Sequence, residues 1–349
     1  MTLHHAAAVA RPVPPGPAAG HGRSDLRGLL SVPGIRKIVL DGSRDPNSGV
    51  TVLLMPAAAA PTLAVKIGTT PAAADVIERE AKLLAAVRGL GLQRTGRTLP
   101  WHVSAFDADG MLAVASSAVP GVPMRTRYHS FRHLARPDLV RADFAAAGGW
   151  LADLHADSGT EPAPVTILDG VPEQIAARWP GDEPALILAE KLRTLGTRLA
   201  AASTIRTVVH GDFWAGNLLV TGNTVTGVVD WAAGQVSGEP LRDVARFALS
   251  YALYLDRHTR PGRPVAGHPE LRADRWGAGI EYAIAGRHWF GGLVRDFVAG
   301  ALARLGAPPG LWRDVLLAGL GEVAATADHP DFAIRHRDLG LRLISEVPR

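Results

Sequence analysis

The chain has 349 residues, 37 basic against 33 acidic, with no cysteine and only four lysines. With 47% hydrophobic and 20% charged residues, it reads as a globular protein of one large domain or two lobes. The missing cysteine removes disulfides, thiolate metal sites and thiol nucleophiles, and no apolar run approaches the roughly 18 residues that span a membrane. Basic and acidic residues number 12 and 8 in 1–120, 10 and 12 in 121–230, and 15 and 13 in 231–349. No third carries a field that would steer a polyanion, so neither nucleic acid nor a membrane is an expected partner.

Residues 1–24 read as a disordered Ala/Pro-rich arm, whose apolar patch Ala6–Ala10 is too short for a signal peptide. The expected location is therefore the cytoplasm. From Ile35 the pattern predicts short strands at 35–40, 50–55 and 63–67, a helix at 72–87, and a strand pair near 101–104 and 111–115. A turn-rich stretch around 118–123 marks a boundary between a lobe at 25–117 and a larger one at 118–349. Helical periodicity then dominates, at 139–156, 171–179, 184–202, 241–256, 274–303 and 311–326. One β insertion interrupts it, at 205–231.

That insertion carries the chemistry. Val208 and Val209 run into His210-Gly211-Asp212, and Asn217 precedes a short strand, a turn at Gly222-Asn223 and a returning strand that ends at Asp230. Such a hairpin places Asn217 roughly opposite Val228, with Asp230 two residues along the same edge. An amide oxygen and a carboxylate there suit a magnesium ion that keeps waters and phosphate oxygens. Asp212 stays free to accept a proton. This is the spacing of a kinase catalytic loop, in which positioning and charge neutralisation do most of the work.

Kinase chemistry also needs a lysine on the third strand and a glutamate on the next helix. Lys66 lies in Leu63–Ile67, on the face it shares with Ala64. Glu80 falls on the apolar stripe of Val76, Leu83, Leu84 and Val87, where a carboxylate is costly unless it meets a cation. Lys66 is the expected partner. The first turn, with Gly42 and Ser43, offers backbone amides to phosphate but has no G-x-G-x-x-G pattern.

Together LAVK at 63–66, EREAKLLAAV around Glu80, HGDFWAGN at 210–217 and VVDW at 228–231 resemble the aminoglycoside phosphotransferase and choline kinase superfamily. The resemblance covers about 35–255. It implies an α+β, bilobal, protein-kinase-like fold, with a small antiparallel-sheet N-lobe and a larger helical C-lobe. It further implies an ATP- or GTP-dependent, magnesium-requiring O-phosphotransferase acting on a small hydroxylated substrate, such as an antibiotic, sugar or amino alcohol. Asp212 would be the base or hydroxyl-orienting residue, and Asn217 and Asp230 the magnesium ligands. Lys66, held by Glu80, would contact the phosphates, and Ser117 would lie at the nucleotide beside the hinge-like segment 118–123. His210 and Asp243 would support the loop. The absence of an Ala-Pro-Glu landmark speaks against a protein kinase, whereas a catalytically silent nucleotide-binding protein of this fold stays open.

The acceptor side is least legible. Trp231, Glu281 and Trp289 are its candidate contacts, although the aromatic-rich segment 276–290 reads equally as core. Arg125, Arg127, Arg132, Arg136 and Arg141 read as a solvated face or as a grip on an anionic acceptor.

Overall fold

The computed structural model describes residues 33–40, 47, 49–56 and 60–345. The arm at 1–24 and the Gly42-Ser43 turn lie outside the described residues. Five antiparallel strands form the N-terminal sheet: β1 (Ile35–Leu40), β2 (Val50–Pro56), β3 (Leu63–Ile67), β4 (His102–Ala108) and β5 (Met111–Ser117), in the order β1-β2-β3-β5-β4. Alternation works as expected in β3, where Val65 and Ile67 are buried and Lys66 points to the other side, beside Thr51 of β2 and Val114 of β5. Val52, Leu54, Val65, Ile67, Phe106 and three alanines form this sheet's own small core.

Helix α1 (Pro71–Gly89) follows β3. Thr70 caps it by accepting the Ala73 N–H at 3.1 Å, and Pro71 at the first helical position has no N–H to waste. Its buried row is Ala73, Ile77, Glu80, Leu84 and Val87. The expected stripe is thus rotated slightly: Val76 is only half-buried, while Glu80 stays inward. Leu84 and Val87 belong to the large C-terminal core rather than to the sheet's core. The helix therefore bolts the two regions together, with Glu80 at the joint.

The C-terminal region is helical: α2 (Pro137–Ser158), α3 (Val171–Arg178), α4 (Glu183–Ala200), α5 (Leu241–Leu253), α6 (Ala278–Ala285), α7 (Trp289–Leu305), α8 (Trp312–Thr326) and α9 (Pro330–Ser345). The single helix expected at 274–303 is two, because Gly286 adopts a left-handed conformation (φ 67°) that ends α6. Helix α9 extends the helical region past the last predicted segment.

Short strands thread between the helices: β6 (Val122–Pro123), β7 (Pro162–Pro164), β8 (Ser203–Ile205), β9 (Thr207–Val209), β10 (Leu218–Thr221), β11 (Thr224–Val228) and β12 (Gln235–Gly238). The β10–β11 hairpin turns at Gly222-Asn223, but a bulge between Leu219 and Val220 moves the register by one. Leu218, not Asn217, faces Val228, and the Asn217 carbonyl accepts the Val229 N–H at 3.0 Å. Strand β6 pairs with β10, so the segment linking the lobes is stitched to the hairpin. No helix among the described residues is long and apolar enough to cross a membrane.

Candidate active site

Between the sheet and the helices lies a cleft of about 720 Å³. On its sheet side the Lys66 ammonium stands 2.6 Å from Glu80 Oε2 and 2.6 Å from Asp230 Oδ1. Burial works against the charge on Lys66, yet the two carboxylates outweigh it and hold the lysine above its ordinary range. Burial likewise tends to raise Asp230, but the Lys66 charge and hydrogen bond keep it below the usual aspartate value. The second oxygen of Glu80 accepts the Trp231 backbone N–H at 3.1 Å. One buried glutamate therefore fixes both the lysine and the chain beside Asp230.

Asp212 sits across the cleft. Its Oδ1 accepts from Arg246 Nε at 2.8 Å and Nη2 at 2.7 Å, and its Oδ2 accepts from Asn217 Nδ2 at 3.1 Å. The same Asn217 nitrogen also donates to the Asp212 carbonyl at 3.0 Å. Sequence reasoning missed Arg246. The one available signal was its place on α5 three residues after Asp243, which puts both on one face.

Asp243 accepts the His210 and Gly211 N–H groups at 2.7 and 2.8 Å, and burial pushes its carboxyl up. His210 Nε2 meets the Val229 carbonyl at 2.8 Å, while Nδ1 accepts the Asp212 N–H at 3.2 Å. A carbonyl on one side and a donor on the other put a hydrogen on Nε2 and a lone pair on Nδ1, so His210 braces the loop. Gly211 is dictated by space: at φ +82°, a Cβ there would lie 2.2 Å from the Ala233 carbonyl oxygen.

Among the described residues no group of three or more His, Cys, Asp or Glu side chains forms a metal site by itself. The Asn217 side-chain oxygen and the Asp230 carboxylate would be the two hard-oxygen donors. That set fits magnesium, which leaves its other positions to water and phosphate.

The far wall is a surprise of the fold. It comes from the end of α8 and the start of α9, with Val323, Thr326, Asp328, His329 and Phe332 facing the cleft beside Arg246. Asp328 is bonded across the rim by Asn47 Nδ2 at 3.0 Å. The expected acceptor contacts are elsewhere. Trp231 is fully buried, with its ring 4.6 Å from that of His210 and its Nε1–H on the Val228 carbonyl. Removing such a ring costs about 3–5 kcal/mol of stability, which marks a core residue. Glu281 is tied up by Arg275 and Arg342, and Trp289 stacks on His268 and donates to the Gly267 carbonyl. Neither lines the cleft. Ser117 does not line it either: its N–H donates to the Trp101 carbonyl and its hydroxyl accepts the Trp101 N–H. Nor does Arg127 belong to a solvated face, since it pairs with buried Asp143 and reaches the Gly222 carbonyl.

Residues 48–282 match the sequence model of the phosphotransferase enzyme family, APH. The chain belongs to that family. Its fold is the kinase-like one of solved family structures. A thermostable mutant of aminoglycoside phosphotransferase APH(4)-Ia, in ternary complex with ADP and hygromycin B, aligns over 93% of this chain and 98% of its own with a TM-score of 0.54. A crystal structure of APH(4)-Ia aligns over 90% and 95% with a TM-score of 0.53. Both are 12% identical to this phosphotransferase, a level that speaks for the fold alone. No curated protein sequence matches.

Proposed function

We propose that this phosphotransferase moves the γ-phosphoryl group of ATP onto a hydroxyl of a small metabolite, in the cytoplasm. The observation that carries the reading is the convergence of Lys66, Glu80 and Asp230 on one side of a single cleft with Asp212, held by buried Asn217, on the other. ADP in the APH(4)-Ia complex supports an adenine nucleotide. The nucleotide would lie between residues 25–117 and 118–349, its phosphates toward Lys66. Magnesium held by Asn217 and Asp230 would supply charge neutralisation on those phosphates. Asp212 orients the acceptor hydroxyl and takes its proton as the oxygen bonds to the γ-phosphorus and the bond to ADP breaks. Arg246 and Asn217 hold that carboxylate in place, and His210 and Asp243 hold its loop.

A coupled ADP-release assay against sugars, amino alcohols and antibiotics tests this. Magnesium-dependent ADP release that requires an acceptor is expected. Tight nucleotide binding with no turnover on any acceptor would favour a silent, regulatory protein of the same fold.

A further inference from the structure

A second recess, of about 90 Å³, opens beside Arg246. It shares Arg246, Val323 and Phe332 with the main cleft, so the two spaces meet at the side chain that grips Asp212. Trp214, Leu249, Leu253 and Tyr254 supply most of its remaining wall. Of its polar members besides Arg246, Ser250 and His336 are engaged within the protein. The Ser250 hydroxyl donates to the Phe247 carbonyl at 3.1 Å, and His336 Nδ1 meets the Phe332 carbonyl at 2.8 Å. Burial also lowers His336 to about 4, so it is uncharged near neutrality. The recess therefore offers carbon and ring surface.

The carboxylates of the main cleft lie outside the recess. Glu80 and Asp230 share the single charge of Lys66, Asp212 is paired with Arg246, and Asp328 accepts from the neutral amide of Asn47. At roughly 30 Å³ per water-sized unit, the recess holds about three or four carbon atoms.

We propose that this recess is an acceptor subsite, and that the phosphorylated compound carries a short branched alkyl group that fills it while its hydroxyl faces Asp212. The inference rests on the kinase reading and narrows its acceptor to hydroxyl compounds with a compact apolar branch. Each buried methylene contributes about fourfold to binding.

The test uses a matched series of amino alcohols, namely ethanolamine, alaninol, valinol and leucinol, which share one charge and one hydroxyl and differ in alkyl size. For the full-length protein kcat/KM is measured by ADP release, and equilibrium binding to the ADP-bound protein by saturation-transfer NMR. Both should rise about fourfold per added carbon up to the branched members. Ser250→Leu, which fills the recess, should flatten the gradient, and Phe332→Ala, which enlarges it, should extend the gradient to leucinol and beyond. Ratios within each variant are compared, so a general loss of activity does not blur the reading. A gradient in binding without turnover upholds the subsite and overturns the kinase reading. A flat series, or a preference for ethanolamine or for the polycation kanamycin over valinol, overturns the subsite even where turnover upholds the kinase.

Discussion

On one wall of the cleft Lys66, Glu80 and Asp230 meet through two 2.6 Å contacts, whereas the wall from Val323 to Phe332 offers methyl groups, a ring and an aspartate already bonded to Asn47. The first, polar wall sets one cation between two carboxylates; the second, called the apolar wall for Val323, Ala327 and Phe332, mixes them with Thr326, Asp328 and His329. The difference separates two tasks. Holding phosphates needs fixed charges at fixed places, so the polar wall is over-determined by ion pairs and backbone bonds. Selecting an acceptor needs shape, which a packed helical corner supplies and which different sequences can supply differently.

The sharpest way to break the polar wall is Asp212→Asn, which keeps the shape and the Asn217 contact but cannot take a proton. Turnover should fall about 10²–10⁴-fold while nucleotide affinity, measured by titration, holds. Unchanged turnover would remove Asp212 from the chemistry. Asp230→Ala should weaken ATP binding by about tenfold or more and erase its dependence on magnesium, because a charge-assisted contact is lost. Equal affinities with and without the ion in the wild type would refute the metal assignment.

Arg246→Ala touches both walls. Asp212 would lose its guanidinium clamp and keep only Asn217, so kcat at saturating ATP should fall about tenfold. Arg246→Lys should recover little, because a lysine cannot place two donors on one carboxylate oxygen in the same way.

The smallest expected effect lies behind the apolar wall. Burial raises Glu322 to about 7, against the pull of Arg242 and Arg246. It binds its proton more tightly folded than unfolded, so the stability linked to it is whole below the ordinary glutamate value and is lost as pH rises through about 7. Glu322→Gln, which cannot ionise, should therefore gain in melting temperature relative to the wild type between pH 5 and pH 8. A gap that stays constant across that range would show that Glu322 does not titrate there.

The same contrast explains what the sequence makes legible. The polar wall is readable because its spacings are local or nearly so: five residues from Asp212 to Asn217, thirteen more to Asp230, fourteen from Lys66 to Glu80. The apolar wall is not. Phe332 and Val323 face Asp212 only because α8 packs against α5 and α9 against α8 and α4, and nothing in their neighbours announces it. Trp231 misleads for a related reason. It follows Asp230 directly, but Asp230 has a left-handed backbone (φ 65°) that turns the next residue into the core. The hairpin register shows the limit of counting, since the turn lies where the spacing puts it and one bulge still moves Asn217 past Val228.

The Asn47–Asp328 contact is an exposed hydrogen bond between two residues that line the cleft, 281 positions apart in the chain. The N-terminal sheet region and the helical region are thus joined by the chain with its β6–β10 pairing and also by this hydrogen bond. An exposed bond of this kind contributes a net of about 0.5–1.5 kcal/mol. At that strength it is broken in roughly a tenth to a third of molecules at any moment. A bond of that strength is a loose clasp, one that a bound ligand could exchange for a contact of its own.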